Sequence, residues 1–142
     1  MKLNKKTSII NAATFVSALL VTGIGFSAQA DKEAISTRCE MVYNTLDRMF
    51  EEQKYAPCAR DVQYAGWVMQ GAAALVRSER YPTAWKNLRV ADGNLSNIYS
   101  KTQECAYFSA KVIPSLSEVK SLINELENIS NRLGSVGVSF KN

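Results

Sequence analysis

From residue 32 onward, apolar residues recur in alternating steps of three and four. Ile35, Cys39, Val42, Leu46 and Met49 form one such stripe. Cys58, Val62, Ala65, Met69, Ala72 and Val76 form a second. A third runs through Ala84, Leu88, Ala91, Leu95, Ile98, Thr102 and Cys105, and a fourth through Leu116, Val119, Ile123, Leu126, Ile129 and Leu133. Steps of three and four place residues on one side of an α-helix, and no alternating β pattern competes with them. The spacing predicts four helices, over about 32–54, 58–79, 83–112 and 115–133. Pro57 and Pro82 stand where proline opens a helix, Pro114 is expected to close the third, and Ser115 with Glu118 has capping-box spacing ahead of the fourth. Asp92-Gly93-Asn94 is a turn signal, but the apolar stripe keeps its register across it, so one kinked helix is favoured over two short ones. Short connections make neighbouring helices antiparallel. The expected fold class is therefore all-α, an up-down-up-down four-helix bundle.

The first thirty residues follow a different rule. Lys2, Lys5 and Lys6 make a basic start, Ile9–Ile24 is largely apolar, and Ala28-Gln29-Ala30 offers a small-x-small cleavage site before Asp31. This is the order of a secretory signal peptide, with an uncleaved anchor as the alternative. The expected organisation is a signal peptide at 1–30, a helical domain at 31–134 and a flexible tail at 135–142. The expected location is the periplasm or the outside of a bacterial cell. The tail alternates apolar and polar residues, so a strand that adds to a partner's sheet is its sharper reading.

Cleavage changes the charge balance. Losing Lys2, Lys5 and Lys6 from seventeen basic side chains leaves fourteen against thirteen acidic ones. The basic character of the whole chain belongs mostly to the leader, which argues against nucleic acid as a partner. There is no histidine. That removes Ser-His and Cys-His catalysis and histidine-ligated zinc or haem. No Cys-x-x-Cys is present, against a thioredoxin-type oxidoreductase. In an oxidising compartment two of the three cysteines are expected to pair. At about 1.5 Å per residue, Cys58 at the top of helix two is level with Cys105 in helix three, while Cys39 lies much lower. A bridge needs Cα atoms within about 7 Å, so the pair is Cys58–Cys105 and Cys39 is a free, buried thiol.

Candidate chemistry is sparse. Ser117-Glu-Val-Lys120 has the Ser-x-x-Lys spacing of serine acyl enzymes, but the companion motifs of that fold are missing. Glu51-Glu52 and Glu125-x-Glu127 carry carboxylates that point apart on a helix, which reads as solvated surface. No metal site and no cofactor are expected. The aromatic residues stand out instead. Tyr64 and Trp67 form a second stripe on helix two beside Arg60, and Trp85, Arg89 and Tyr99 form a comparable one on helix three. Large aromatics with arginine are the usual anchors of protein interfaces, the plainer alternative being a wider core.

Ala91-Asp92-Gly-Asn-Leu95-Ser-Asn-Ile-Tyr99 resembles a segment of small exported proteins with a lysozyme-inhibitor-like domain. Ser96 stands where that family has asparagine, and the cysteines expected before the segment are missing, so no functional residue carries over. The leading expectation is a non-enzymatic exported protein that binds a protein partner in the cell envelope, such as an accessory or assembly factor of a pilus or secretion system. The alternative is an inhibitor or immunity protein directed against a cell-wall hydrolase. The mature domain is not expected to be embedded in a membrane.

Overall fold

A computed structural model describes residues 23–134, with side chains from Asp31 to Leu133. Four helices follow one another: α1 (Gly23–Glu52), α2 (Ala59–Arg77), α3 (Tyr81–Ser100) and α4 (Ile113–Gly134). The chain is the expected all-α bundle. α1 packs on α2, α2 on α3 and α3 on α4, and α4 returns to α1 along a shorter seam. Among the described residues the backbones of diagonal helices do not approach closely, so the four form a ring around one core. Residues 1–22 and the tail 135–142 lie outside the described residues, and with them most of the expected leader. The backbone of α1 is helical across the Ala30–Asp31 bond.

The apolar stripes meet where their spacing placed them. Cys39, Leu46, Val62, Met69, Leu88, Leu95, Ile98 and Val119 have no exposed surface, and each fully buried Leu or Ile is worth roughly 1.5–3 kcal/mol. Met49, Cys58 and Ile129 are partly buried at the edge of this core. The α1–α2 contact is close where α2 contributes the small residues Gly66 and Ala73. A Cβ at Gly66 would already stand 3.5 Å from the Leu46 Cβ. Ser36 is buried in the same seam and donates to the Ala73 carbonyl at 3.3 Å.

The third helix departs from expectation. It runs uninterrupted through Gly93, whose missing side chain points into open space, and it stops at Ser100 rather than near 112. Residues 101–112 form successive turns, with the Cys105 N–H donating to the Lys101 carbonyl at 2.7 Å and the Val112 N–H to the Phe108 carbonyl at 3.0 Å. The reason is a change of register at Lys101, whose ψ of 58° is not helical. Thr102, on the expected stripe, is exposed, and Cys105, Phe108 and Val112 turn inward instead. Pro114 consequently stands in the first turn of α4, where its missing N–H costs nothing, and opens that helix instead of closing α3. Ser115 falls inside α4 and is buried, and Glu118 reaches across to α1, so the expected capping box does not form.

Cys105 nevertheless meets Cys58. The two are joined by a disulfide, with Cα atoms 5.5 Å apart and a separation of 47 positions in sequence. A loop of that length is worth roughly 4 kcal/mol in the chain-entropy account of disulfide stabilisation. Cys58 has a positive φ of 68° immediately before α2.

The α2–α3 connection is a three-residue Schellman turn. The Glu79 N–H donates to the Val76 carbonyl at 3.0 Å and the Arg80 N–H to the Leu75 carbonyl at 2.9 Å. Glu79 occupies the left-handed position, with φ at 59°, where a side chain costs about 1–2 kcal/mol and glycine costs less. Its carboxylate pairs with Lys32 at 2.9 Å, but Glu79 is mostly exposed and such pairs contribute little. Glu79→Gly is therefore expected to raise stability by about 0.5–1 kcal/mol after the extra chain entropy of glycine is counted. Urea unfolding monitored by circular dichroism checks it; a lower midpoint would show that the Lys32 pair outweighs the backbone strain.

Candidate functional site

α2 presents one side to the core and the opposite side to solvent. Ala59, Val62, Gly66, Met69 and Ala73 face inward. Arg60, Tyr64 and Trp67 stand a turn apart on the outward side and are exposed, Trp67 with 55% of its surface and Tyr64 with 49%. The next position of that stripe is Gly71, where an added Cβ would lie 3.1 Å from the Asn87 Nδ2 of α3. That approach sets the antiparallel register of the seam. It brings Val90, one turn further along α3 and 46% exposed, level with Trp67. Lys86, also exposed, borders the same stretch.

The α3 candidates fall elsewhere. Trp85 is half-buried against the core, and its indole N–H donates to the Glu127 Oε1 of α4 at 3.0 Å. The Arg89 guanidinium lies 5.8 Å from the Trp85 ring centre, within range of a cation–π contact. Tyr99 is 48% exposed near the C-terminal end of α3. The two aromatic sets therefore lie on opposite flanks of α3: Arg60, Tyr64 and Trp67 beside the α2–α3 seam, and Trp85 with Arg89 beside the α3–α4 seam. They do not form one continuous stripe.

A charged cluster closes the short α1–α4 seam. Arg38 Nε donates to Glu118, Nη1 to both carboxylate oxygens of Glu125 (2.7 Å to Oε2), and Nη2 to the Ser121 hydroxyl at 3.1 Å. Every guanidinium nitrogen is engaged, and the pairing with Glu125 and then Glu118 raises the proton affinity of Arg38 further. Arg38 keeps 29% of its side-chain surface, so the attraction is partly screened. The cluster ties together the two neighbouring helices whose backbones approach each other least closely. It corrects the solvated-surface reading of Glu125 and Glu127: the two carboxylates diverge, but one reaches α1 and the other holds Trp85. The signal for it was Glu118, Ser121 and Glu125, spaced by three and four on one side of α4. At the open end of this seam a cavity of about 300 Å³ lies between Asp31 and Ile35 of α1 and Glu125, Ile129 and Arg132 of α4.

Ser117 and Lys120 are exposed, and no partner is brought to them to complete an acyl-transfer site. Among the described residues no group of three or more Cys, Asp or Glu side chains is placed to hold a metal ion. None of the described helices is long and apolar enough to cross a membrane. Two polar atoms on α3 are buried without a hydrogen-bond partner, Asp92 Oδ1 and Asn94 Nδ2. Comparison with protein-family models, with curated proteins and with solved structures gives no match.

Cys39 is the free cysteine and is fully buried. Burial pushes its thiol up to about 12, with Glu118 and Glu40 adding to the shift and Arg38 opposing it. The folded chain therefore holds a proton on Cys39 that the unfolded chain releases near its ordinary value of 9. The stability linked to this thiol is complete below pH 9 and is lost as pH rises from 9 towards 12. Cys39→Ala is expected to flatten the alkaline fall in stability over that window, read from urea midpoints at successive pH values. An unchanged slope would mean that the thiolate is tolerated in place.

Proposed function

We propose that this protein is a non-enzymatic, exported helical domain that acts by binding a protein partner in the bacterial cell envelope, in the manner of an accessory or assembly factor of a pilus or secretion system. The observation that carries the reading is the exposure of Tyr64 and Trp67 beside Arg60 on the outward side of α2. Trp67 and Tyr64 are neighbours on this side and both keep about half of their surface in solvent, and adjoining exposed apolar area of this kind marks interaction sites. Tryptophan, tyrosine and arginine are also the residue types that dominate binding energy at interfaces. The Cys58–Cys105 disulfide supports export, because such bonds persist in oxidising compartments. Trp85 and Arg89 lie on the other flank of α3 and are not part of this surface.

The mature domain, immobilised and exposed to envelope extract, is expected to retain a stoichiometric protein. Trp67→Ala should weaken that retention by at least tenfold, the scale of an interfacial aromatic anchor, while shifting the melting temperature by no more than a few degrees. Retention unaffected by both Trp67→Ala and Tyr64→Ala would remove this surface as the binding site. A retained hydrolase whose activity falls on binding would replace the assembly role with that of an inhibitor.

A further inference from the structure

Charge is divided between the two halves of the ring. From Asp31 onward, α1 and α4 carry nine acidic and five basic side chains, whereas α2 and α3 carry two acidic and four basic. Of the two acids on α2 and α3, Asp92 is half-buried on the flank away from Trp67. Asp61 is the remaining one. The outward surface of α2 and α3 thus combines exposed aromatic and aliphatic area, Tyr64, Trp67 and Val90, with the exposed cations Arg60 and Lys86.

We propose that this α2–α3 surface docks an acidic segment of a protein partner, its apolar side chains covering Trp67 and Val90 and its carboxylates meeting Arg60 and Lys86. The inference rests on the binding role proposed above and adds the chemistry of what is bound. Interfaces are arranged so that opposite potentials meet, which speeds encounter and rejects like-charged competitors. Arginine in particular pairs with carboxylate through two parallel N–H donors.

Two other occupants fit less well. A second copy of this chain could offer its acidic half, but much of that charge is already engaged. Glu118 and Glu125 are held by Arg38, Glu40 by Arg77 at 2.7 Å, and Glu127 by Trp85. An anionic lipid surface is bound through clusters of about four to eight cations, more than the two that flank Trp67.

Site-specific photocrosslinking in the cells that make the protein tests the proposal. A benzophenone amino acid replaces Tyr64 or Trp67 in the full chain, with the exposed Asn124 of α4 as the control position. Mass spectrometry of the adduct then reads the sequence of the captured segment. The expected result is a segment of another protein with net negative charge, captured from positions 64 and 67 and not from 124. Arg60→Glu with Lys86→Glu should lower the yield at least tenfold, and Arg60→Lys with Lys86→Arg should retain most of it.

An adduct on a neutral or basic segment of another protein overturns the proposed chemistry and leaves the binding role standing. So does an undiminished yield from a charge-reversed chain whose melting temperature is unchanged. An adduct on lipid or on a second copy of the chain overturns the proposal as well. No adduct above the control at either position overturns the binding role itself. Because the captured segment is read with Arg60 and Lys86 intact, a charge-reversed variant that fails to fold does not spoil the test.

Discussion

The bond between Cys58 and Cys105 is the constraint that orders this bundle. Without it, residues 101–112 are twelve residues of turns with only Cys105, Phe108, Ser109 and Val112 facing inward. With it, that segment is fastened to the start of α2 and Phe108 is held over one end of the core. α4 then leaves from a defined place and falls back along α3 and α1. The tie matters because the ring closes unevenly. α1, α2 and α3 meet through small and apolar side chains, whereas α4 touches α1 along a short seam. At that seam the guanidinium of Arg38 makes directional bonds to Glu118, Ser121 and Glu125. A carboxylate pair of this kind adds little net stability when partly exposed, but it selects one register. Covalent closure at one end and a charge clamp along the last seam together turn four amphipathic helices into one ring.

Most of that architecture was legible from spacing alone. Burial depends on which side of a helix a residue occupies, and the steps of three and four from Ile35 to Leu126 give that side directly. The disulfide was legible too, though by an argument whose geometry does not hold. Cys105 is level with Cys58 because α3 ends at Ser100 and the chain turns, and not because Cys105 rides on a long helix. The error has a physical source. Cys105, Phe108, Val112 and Leu116 repeat with helical spacing whether the backbone between them is α-helical or a run of turns, and only the break at Lys101 separates the two. Pro114 falls to α4 rather than to the end of the third helix for the same reason, and because α4 begins at Ile113, Ser115 lies inside that helix instead of capping it. Arg38 was missed because a single cation in a helix names no partner. Its partners lie about eighty residues away and become visible only when α4 is laid against α1.

The surfaces follow from the same ring. Each helix spends one side on the core and its flanks on its neighbours, leaving an outward side with no structural duty. On α1 and α4 that side carries most of the acids, with Met41, Ile113 and Leu133 exposed among them. On α2 it holds Tyr64 and Trp67, and on α3 Val90, which no internal demand explains. The two aromatic sets looked alike in the sequence because both follow helical spacing. Packing distinguishes them: Trp85 is drawn in by Glu127 and the core edge, and Trp67 keeps more than half of its surface in solvent. A surface of this kind on a disulfide-closed domain fits recognition more readily than chemistry, which requires groups that converge.

The proposed role requires that the chain pass into an oxidising compartment and that its disulfide form there. Peptide mapping of the protein purified from the cells that make it, digested without reductant after blocking of thiols, examines this most directly. The account predicts a mature chain beginning at Asp31, a Cys58–Cys105 linked peptide and Cys39 recovered as the blocked thiol. Recovery of all three cysteines as thiols, or of Cys39 within a bridge, would contradict it.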